Sequence, residues 1–317
     1  MAGRHHRPIR ALLVGAVLVA SLAACDDEGP TPEAVGTVVA GTGATVDGES
    51  GFLFVPAGRI DVTVGAPLTR PLSGEEAADG AVHAPPVGGA FVPVAWTHDP
   101  AALPAPLEVA GLHPELTAMA LVADGTSYPL GSPYDVAGVG GTTDALVRVL
   151  YVAVPAPPTR LLVSADYDGA TQTLDPASGQ IGPGQAGALY HPVPRLAASP
   201  CRPGPQAGPG PRLTCSVHDV VVVPYVPGPG WADPPEGWLV VHYRVDVGSA
   251  DLRGVSLRLA GHAPVTVLDA QRTAHRARGS VAFAGATRGG ALRLTAVVTP
   301  VGSRRTTSVV RTVAITR

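Results

Sequence analysis

From Gly237 to Val247 the chain reads Gly-Trp-Leu-Val-Val-His-Tyr-Arg-Val-Asp-Val, which puts Leu239, Val241, Tyr243, Val245 and Val247 on one face. That period of two belongs to an extended strand with one side against a core. Ala90, Val92, Val94 and Trp96 repeat the pattern earlier in the chain. Glycine (39) and proline (34) interrupt the apolar runs before a helical repeat can build up. Only 4% of residues are aromatic, so the cores must be mostly Val, Leu and Ala. Valine-rich, Gly/Pro-punctuated sequence specifies β-structure.

Turn chemistry agrees. Asp124-Gly125 and Asp168-Gly169 each separate two apolar runs, and in a chain without asparagine Asp-Gly is the strongest tight-hairpin signal on offer. Ser73 and Glu76 have capping-box spacing, but Asp79-Gly80 follows so soon that only a single helical turn is specified. The first half, residues 51–180, yields strand candidates at Gly58 to Val64, Ala90 to Thr97, Thr117 to Ala123, Leu146 to Val154, Arg160 to Tyr167 and Thr171 to Leu174, with Pro100 to Pro114 a long connection. Residues 181–212 shift to Gly, Pro and Ala and read as a stiff linker that holds the halves apart. In residues 213–317, Val255 to Leu259, Leu292 to Val298 and a hairpin ending in Val309 to Thr316 follow Gly237 to Val247. Pro224, within Val220 to Val226, implies an edge or a bulge.

The N-terminus has a different character. Arg4, Arg7 and Arg10 precede the apolar run Ala11 to Ala20, which is too short to span a bilayer needing about 20 apolar residues. Leu22-Ala23-Ala24-Cys25 closes it and resembles the lipobox of bacterial lipoproteins. The resemblance implies a signal peptide over residues 1–24, cleavage before Cys25, and a lipid on the Cys25 thiol as the membrane anchor. An ordinary cleaved signal with a coincidental cysteine is the alternative. A diacylated cysteine supplies the two buried chains that stable anchoring takes. The protein is then expected at the extracytoplasmic face of the cell membrane. Asp26 resembles a signal for inner-membrane retention, which matters only in a cell with two membranes. Residues 25–50 read as a flexible, lipidated tether, with Val35 to Ala40 as an alternative short strand. In an oxidising compartment Cys201 and Cys215 are expected to pair. Closing that loop contributes about 3 kcal/mol and pins the linker to the next strand; a redox or metal role is the rival.

The order of strands in both halves suits a seven-stranded antiparallel sandwich. It resembles the immunoglobulin-like modules, including telokin-like ones, of surface lipoproteins from high-GC Gram-positive bacteria. The resemblance implies two tandem β-sandwiches acting as a binding or structural module, although the antibody Cys/Trp/Cys spacing is missing.

Charge is the one global feature that points to a partner. Residues 26–194 carry 19 acidic side chains against four Arg, and residues 195–317 carry 6 against 15. The basic half is therefore the expected contact surface. Arg272, Arg276 and Arg278 are its densest cluster, and Arg304-Arg305 sit on a turn. Outside the cell their expected partner is an anionic envelope polymer, lipid head groups, another surface protein or the chain's own acidic half, and not nucleic acid. The alternative is that these arginines are solvated strand-face cations, as Arg258 and Arg293 read by alternation.

The chain contains no G-x-S-x-G, H-E-x-x-H or Walker A motif, and no cofactor or metal is expected. Asp166, Asp168 and Asp175 only faintly resemble a calcium loop. Two functions result: a non-enzymatic binding or spacing module, or a cell-envelope hydrolase whose site is assembled from separate loops.

Overall fold

The computed structural model describes residues 29–42, 45–100, 102, 112–133, 148–191, 194–203, 212–233, 236–285 and 289–317. Cys25 and the segment before it lie outside the described residues, as does most of the Pro100 to Pro114 connection. The architecture is all-β and antiparallel, compatible with β-sandwich packing. Among the described residues the helical elements are 3₁₀ turns at Pro114–Leu116 and Gly184–Tyr190.

The first half contains β1 (Val38–Ala40), β2 (Gly48–Val55), β3 (Gly58–Gly65), β4 (Ala90–Asp99), β5 (Thr117–Ala123), β6 (Thr126–Gly131), β7 (Arg148–Val154), β8 (Leu161–Tyr167), β9 (Ala170–Asp175) and β10 (Gln180–Gly182). They form two five-stranded sheets, ordered β1-β7-β4-β3-β2 and β10-β9-β8-β5-β6. Leu53, Ile60, Val92 and Trp96 of one sheet and Leu121, Val163 and Tyr167 of the other share one core. Each such buried side chain stabilises the fold by about 1.5–3 kcal/mol relative to exposure. Both Asp-Gly turns behave as expected: Asp124, Gly125, Asp168 and Gly169 all have positive φ, the signature of a type I′ hairpin. Where the sequence specified a single helical turn the structure has a hydrogen-bonded turn, in which the Ser73 amide donates to Glu76 Oε2 at 2.8 Å. Arg70 grips the same carboxylate through two bonds, which hold its pKa down to about 2.

The second half contains β11 (Arg195–Ala198), β12 (Arg202–Pro203), β13 (Thr214–Val223), β14 (Tyr225–Val226), β15 (Gly230–Trp231), β16 (Trp238–Asp246), β17 (Asp251–Leu259), β18 (Thr266–Arg272), β19 (Arg276–Phe283), β20 (Gly290–Thr299) and β21 (Thr307–Thr316). The sheet path is β17-β20-β21-β11-β13-β16-β19-β18, with β12 beside β21. Arg195 and Leu196 of β11 pair with β13, whereas Ala197 and Ala198 pair with β21. That switch lets one path fold around a single core, in which Val241, Tyr243 and Phe283 meet Leu257, Leu294 and Val313. All five apolar positions read from Leu239 to Val247 are buried there. Pro224 stands just beyond the β13–β16 ladder, which ends at Val223 and Trp238, so it terminates the strand. The bulge falls earlier, between His218 and Val221, where Asp219 has positive φ.

Two stretches differ from expectation. From Pro32 onward the segment read as a tether is docked: Pro32 bridges Ala84, β1 pairs with β7, and Gly41 bridges Ala77. The stretch read as a spacer instead joins the halves. Ala186 and Leu189 of the second 3₁₀ turn are buried with Val221, Val223, Val226, Val240 and Ala282, and Phe54 and Tyr190 pack against them. A few apolar anchors override the linker-like Gly/Pro composition, because burying them outweighs leaving the chain extended.

Candidate binding surface

Strand polarity fixes the long axis of the molecule. In the first half, Gly36 bonds to Ala153 near the end of β7, where β7 pairs with the start of β4, and β1 runs along the other edge of β7, so the N-terminal segment emerges at that end. The opposite end, around Phe54 and Tyr167, meets the second half. Tyr190 donates its hydroxyl to Gln172 and accepts from the Phe54 amide at 3.0 Å, while burial pushes its pKa up to about 12. Across the junction Tyr225 donates to Asp168 Oδ2 at 3.0 Å and the Trp231 indole donates to the Tyr167 carbonyl at 2.8 Å. The rings of Tyr167 and Tyr225 meet edge to face, with centroids 5.1 Å apart. In the second half these contacts use the end of β13 and the start of β16, so the other ends of those strands face away from the junction.

That far end carries the arginines singled out from the sequence. Arg276 pairs with Asp246 at 2.7 Å, Arg278 donates twice to Gln271, and Arg272 donates to the Arg253 carbonyl. Arg253 in turn bonds to Thr299, just ahead of the turn that holds exposed Arg304 and Arg305. The fold thus brings Arg272, Arg276 and the Arg304-Arg305 turn to one end. It also gives the guanidinium groups of Arg272, Arg276 and Arg278 acceptors within the protein.

Sequence reading missed a second arrangement. Arg258 of β17 stands directly across from Arg293 of β20, Arg293 from Thr312 of β21, and Thr312 from Arg202 of β12. All three arginines are exposed, on the face opposite buried Leu257, Leu292, Leu294 and Val313. Alternation had placed Arg258 and Arg293 on a polar face; only the register aligns them. Arg202 joins the row because Cys201 is disulfide-bonded to Cys215, with Cα atoms 5.8 Å apart.

Other chemistry-bearing groups are committed to structure. Asp166 accepts from Gly169 and Thr171, Asp175 from Ala177 and Ser178, and Asp168 from Tyr225, so the faint calcium loop is a pair of turns and an interface bond. Among the described residues no group of His, Cys, Asp and Glu could hold a metal ion. His83 sits between two carboxylates, Nδ1 at 2.8 Å from Glu33 and Nε2 at 3.1 Å from Asp79, which raise its pKa. His242 bonds Ser280 at 2.7 Å and stacks on His218, and burial lowers its pKa. A groove of about 410 Å³ lies over β2, β3 and β4, where Arg59 covers the Phe52 ring at 4.4 Å and pairs with Asp61. No helix among the described residues is long and apolar enough to cross a membrane.

Compared with known proteins, the chain matches no family, and neither a curated protein nor a solved structure is significantly similar to it.

Proposed function

We propose that the chain is a lipid-anchored extracytoplasmic protein, tethered through Cys25, whose two halves are tandem immunoglobulin-like β-sandwiches serving as a non-enzymatic binding module. The anionic envelope is its partner, met through the basic half. One observation carries the reading: the N-terminal segment leaves the first half at the end remote from the junction, and the arginines lie on the half beyond it. An anchor at Cys25 then presents the acidic half to the membrane and the basic half outward. Because docking begins at Pro32, only the residues between Cys25 and Pro32 would separate lipid from fold, about 20–25 Å at full extension.

The rival reading, an envelope hydrolase with a loop-built site, finds its best support in His83 with Glu33 and Asp79. Both ring nitrogens there are occupied by carboxylates, which leaves neither for a substrate. In the tethering test, Cys25→Ser should move the protein from the detergent phase to the aqueous phase on Triton partitioning. A variant that stays in the detergent phase would refute the anchor.

A further inference from the structure

We infer that the row formed by exposed Arg258, Arg293 and Arg202 with half-buried Thr312 is a binding site for a linear polymer with phosphodiester groups in its backbone. The inference rests on the reading of the chain as an extracytoplasmic binding module and names the part of the basic half that does the binding.

The row crosses four neighbouring strands in register. With strands about 4.8 Å apart, it extends roughly 14 Å at right angles to the strand direction. Like charges directly opposite on adjacent strands repel, so an unneutralised pair favours an incoming anion. Arg258 donates one bond to the Gly261 carbonyl at 3.0 Å, while Arg293 and Arg202 make no hydrogen bond or ion pair with a described residue. Strands β12, β20 and β21 contain no acidic residue. Asp251 starts β17 seven positions from Arg258 and faces Arg253 at 3.4 Å. Arg272, Arg276 and Arg278, by contrast, already have acceptors, and Arg304 and Arg305 sit side by side on a turn, so the row is an array of unneutralised charge laid across a sheet.

The arrangement also selects the ligand. Guanidinium forks on Arg258 and Arg293 match the two non-bridging oxygens of a phosphodiester, the planar bidentate pairing to which arginine is best suited. Thr312 in the row, and Ser256 and Thr295 in the adjacent outward row, offer hydroxyls for further oxygens. None of the four strands carries an aromatic residue, so there is no platform for stacking bases or sugar rings and recognition is confined to the phosphate backbone. Phosphodiester groups occur both in envelope polymers and in lipid head groups. The row lies on the half beyond the junction, away from the end where the N-terminal segment emerges, and that position selects the polymer.

The test uses the full chain from residue 25 with Cys25→Ser, titrated calorimetrically with poly(glycerol phosphate) and with phosphatidylglycerol vesicles, which carry the same headgroup chemistry. Binding to the polymer should weaken as salt rises, with a log–log slope near −2 for three arginines on a flexible chain. Arg258→Ala with Arg293→Ala should weaken it at least tenfold while the thermal transition stays in place. Arg304→Ala with Arg305→Ala, and separately Arg276→Ala, should change it less than threefold. A folded Arg258/Arg293 variant that binds like the unsubstituted chain overturns the site. Vesicle binding as tight per phosphate as polymer binding overturns the choice of polymer. Failure of the lipid anchor would be seen in the partitioning of the unsubstituted protein, so the two claims fail in separate experiments.

Discussion

The Tyr225 hydroxyl donates to Oδ2 of Asp168 at 3.0 Å, and it does so across the junction between the acidic and the basic half. Tyr225 is buried in the first half's core although it follows the second half's β13 in sequence. The halves are thereby coupled through a side chain that belongs to both.

That coupling has a measurable consequence. Tyr225→Phe should cost about 1 kcal/mol, the usual net worth of one hydrogen bond, and leave unfolding as a single transition. Trp231→Ala removes ring contacts to Tyr225 and Tyr167 and the bond to the Tyr167 carbonyl, and should cost about 2–3 kcal/mol. Urea denaturation followed by tryptophan fluorescence and by circular dichroism checks both. Non-coincident transitions in Trp231→Ala would show the halves parting.

Docking of the N-terminal segment should depend on pH. The Glu33 bond, then the Asp79 bond, raise the His83 pKa above its unfolded value near 6.5. A group with a raised folded pKa contributes its full stabilisation below the unfolded value and loses it as pH rises through the folded one. Amides of Glu33 and Gly36, bonded to Ala84 and Ala153, should therefore exchange with solvent faster above neutrality than at pH 6 after correction for intrinsic exchange. His83→Gln should remove that pH dependence. Hydrogen exchange resolved by NMR reads it directly.

Cys201→Ser with Cys215→Ser should cost about 2–4 kcal/mol in thermal or urea unfolding. It should also weaken polymer binding, because the bridge holds Arg202 beside Thr312. Binding unchanged at a temperature where the variant is folded would show that Arg202 contributes nothing to the row.

At the tip of the β5–β6 hairpin Gly125 has φ of 87° with open space around it. Gly125→Ala should destabilise by about 1–2 kcal/mol through backbone conformation alone, since no neighbour resists the added methyl. A thermal melt compared with Gly254→Ala, where space is open and φ is not positive, isolates that effect.

Much of the strand layout is legible because it depends on local pattern. Leu239 through Val247 and Ala90 through Trp96 alternate by themselves, and Asp-Gly at 124–125 and 168–169 fixes two hairpins without long-range information. The Cys201–Cys215 pairing was legible from the cysteine count once an oxidising compartment was expected. What the sequence hid was set by tertiary partners. Arg276–Phe283 loses its alternation because Gly279 and Ser280 are buried along with Val281, Ala282 and Phe283, and Thr266–Arg272, paired beside it, buries none of its residues fully. Val38–Ala40 was legible only as the alternative to a tether, because a strand of three residues is settled by the β7 edge and not by its own pattern. The arginine row was illegible for a related reason: Arg202, Arg258, Arg293 and Thr312 are far apart in sequence and are aligned only by strand register.

The proposed anchor depends on where the mature chain begins. Mass spectrometry of the N-terminal peptide from protein purified out of its native membrane tests this most directly. The expected peptide starts at Cys25 and carries the mass of a diacylglyceryl group on its thiol. A native protein that still contains residues 1–24, or one that begins at an unmodified Cys25, would contradict the proposed anchor.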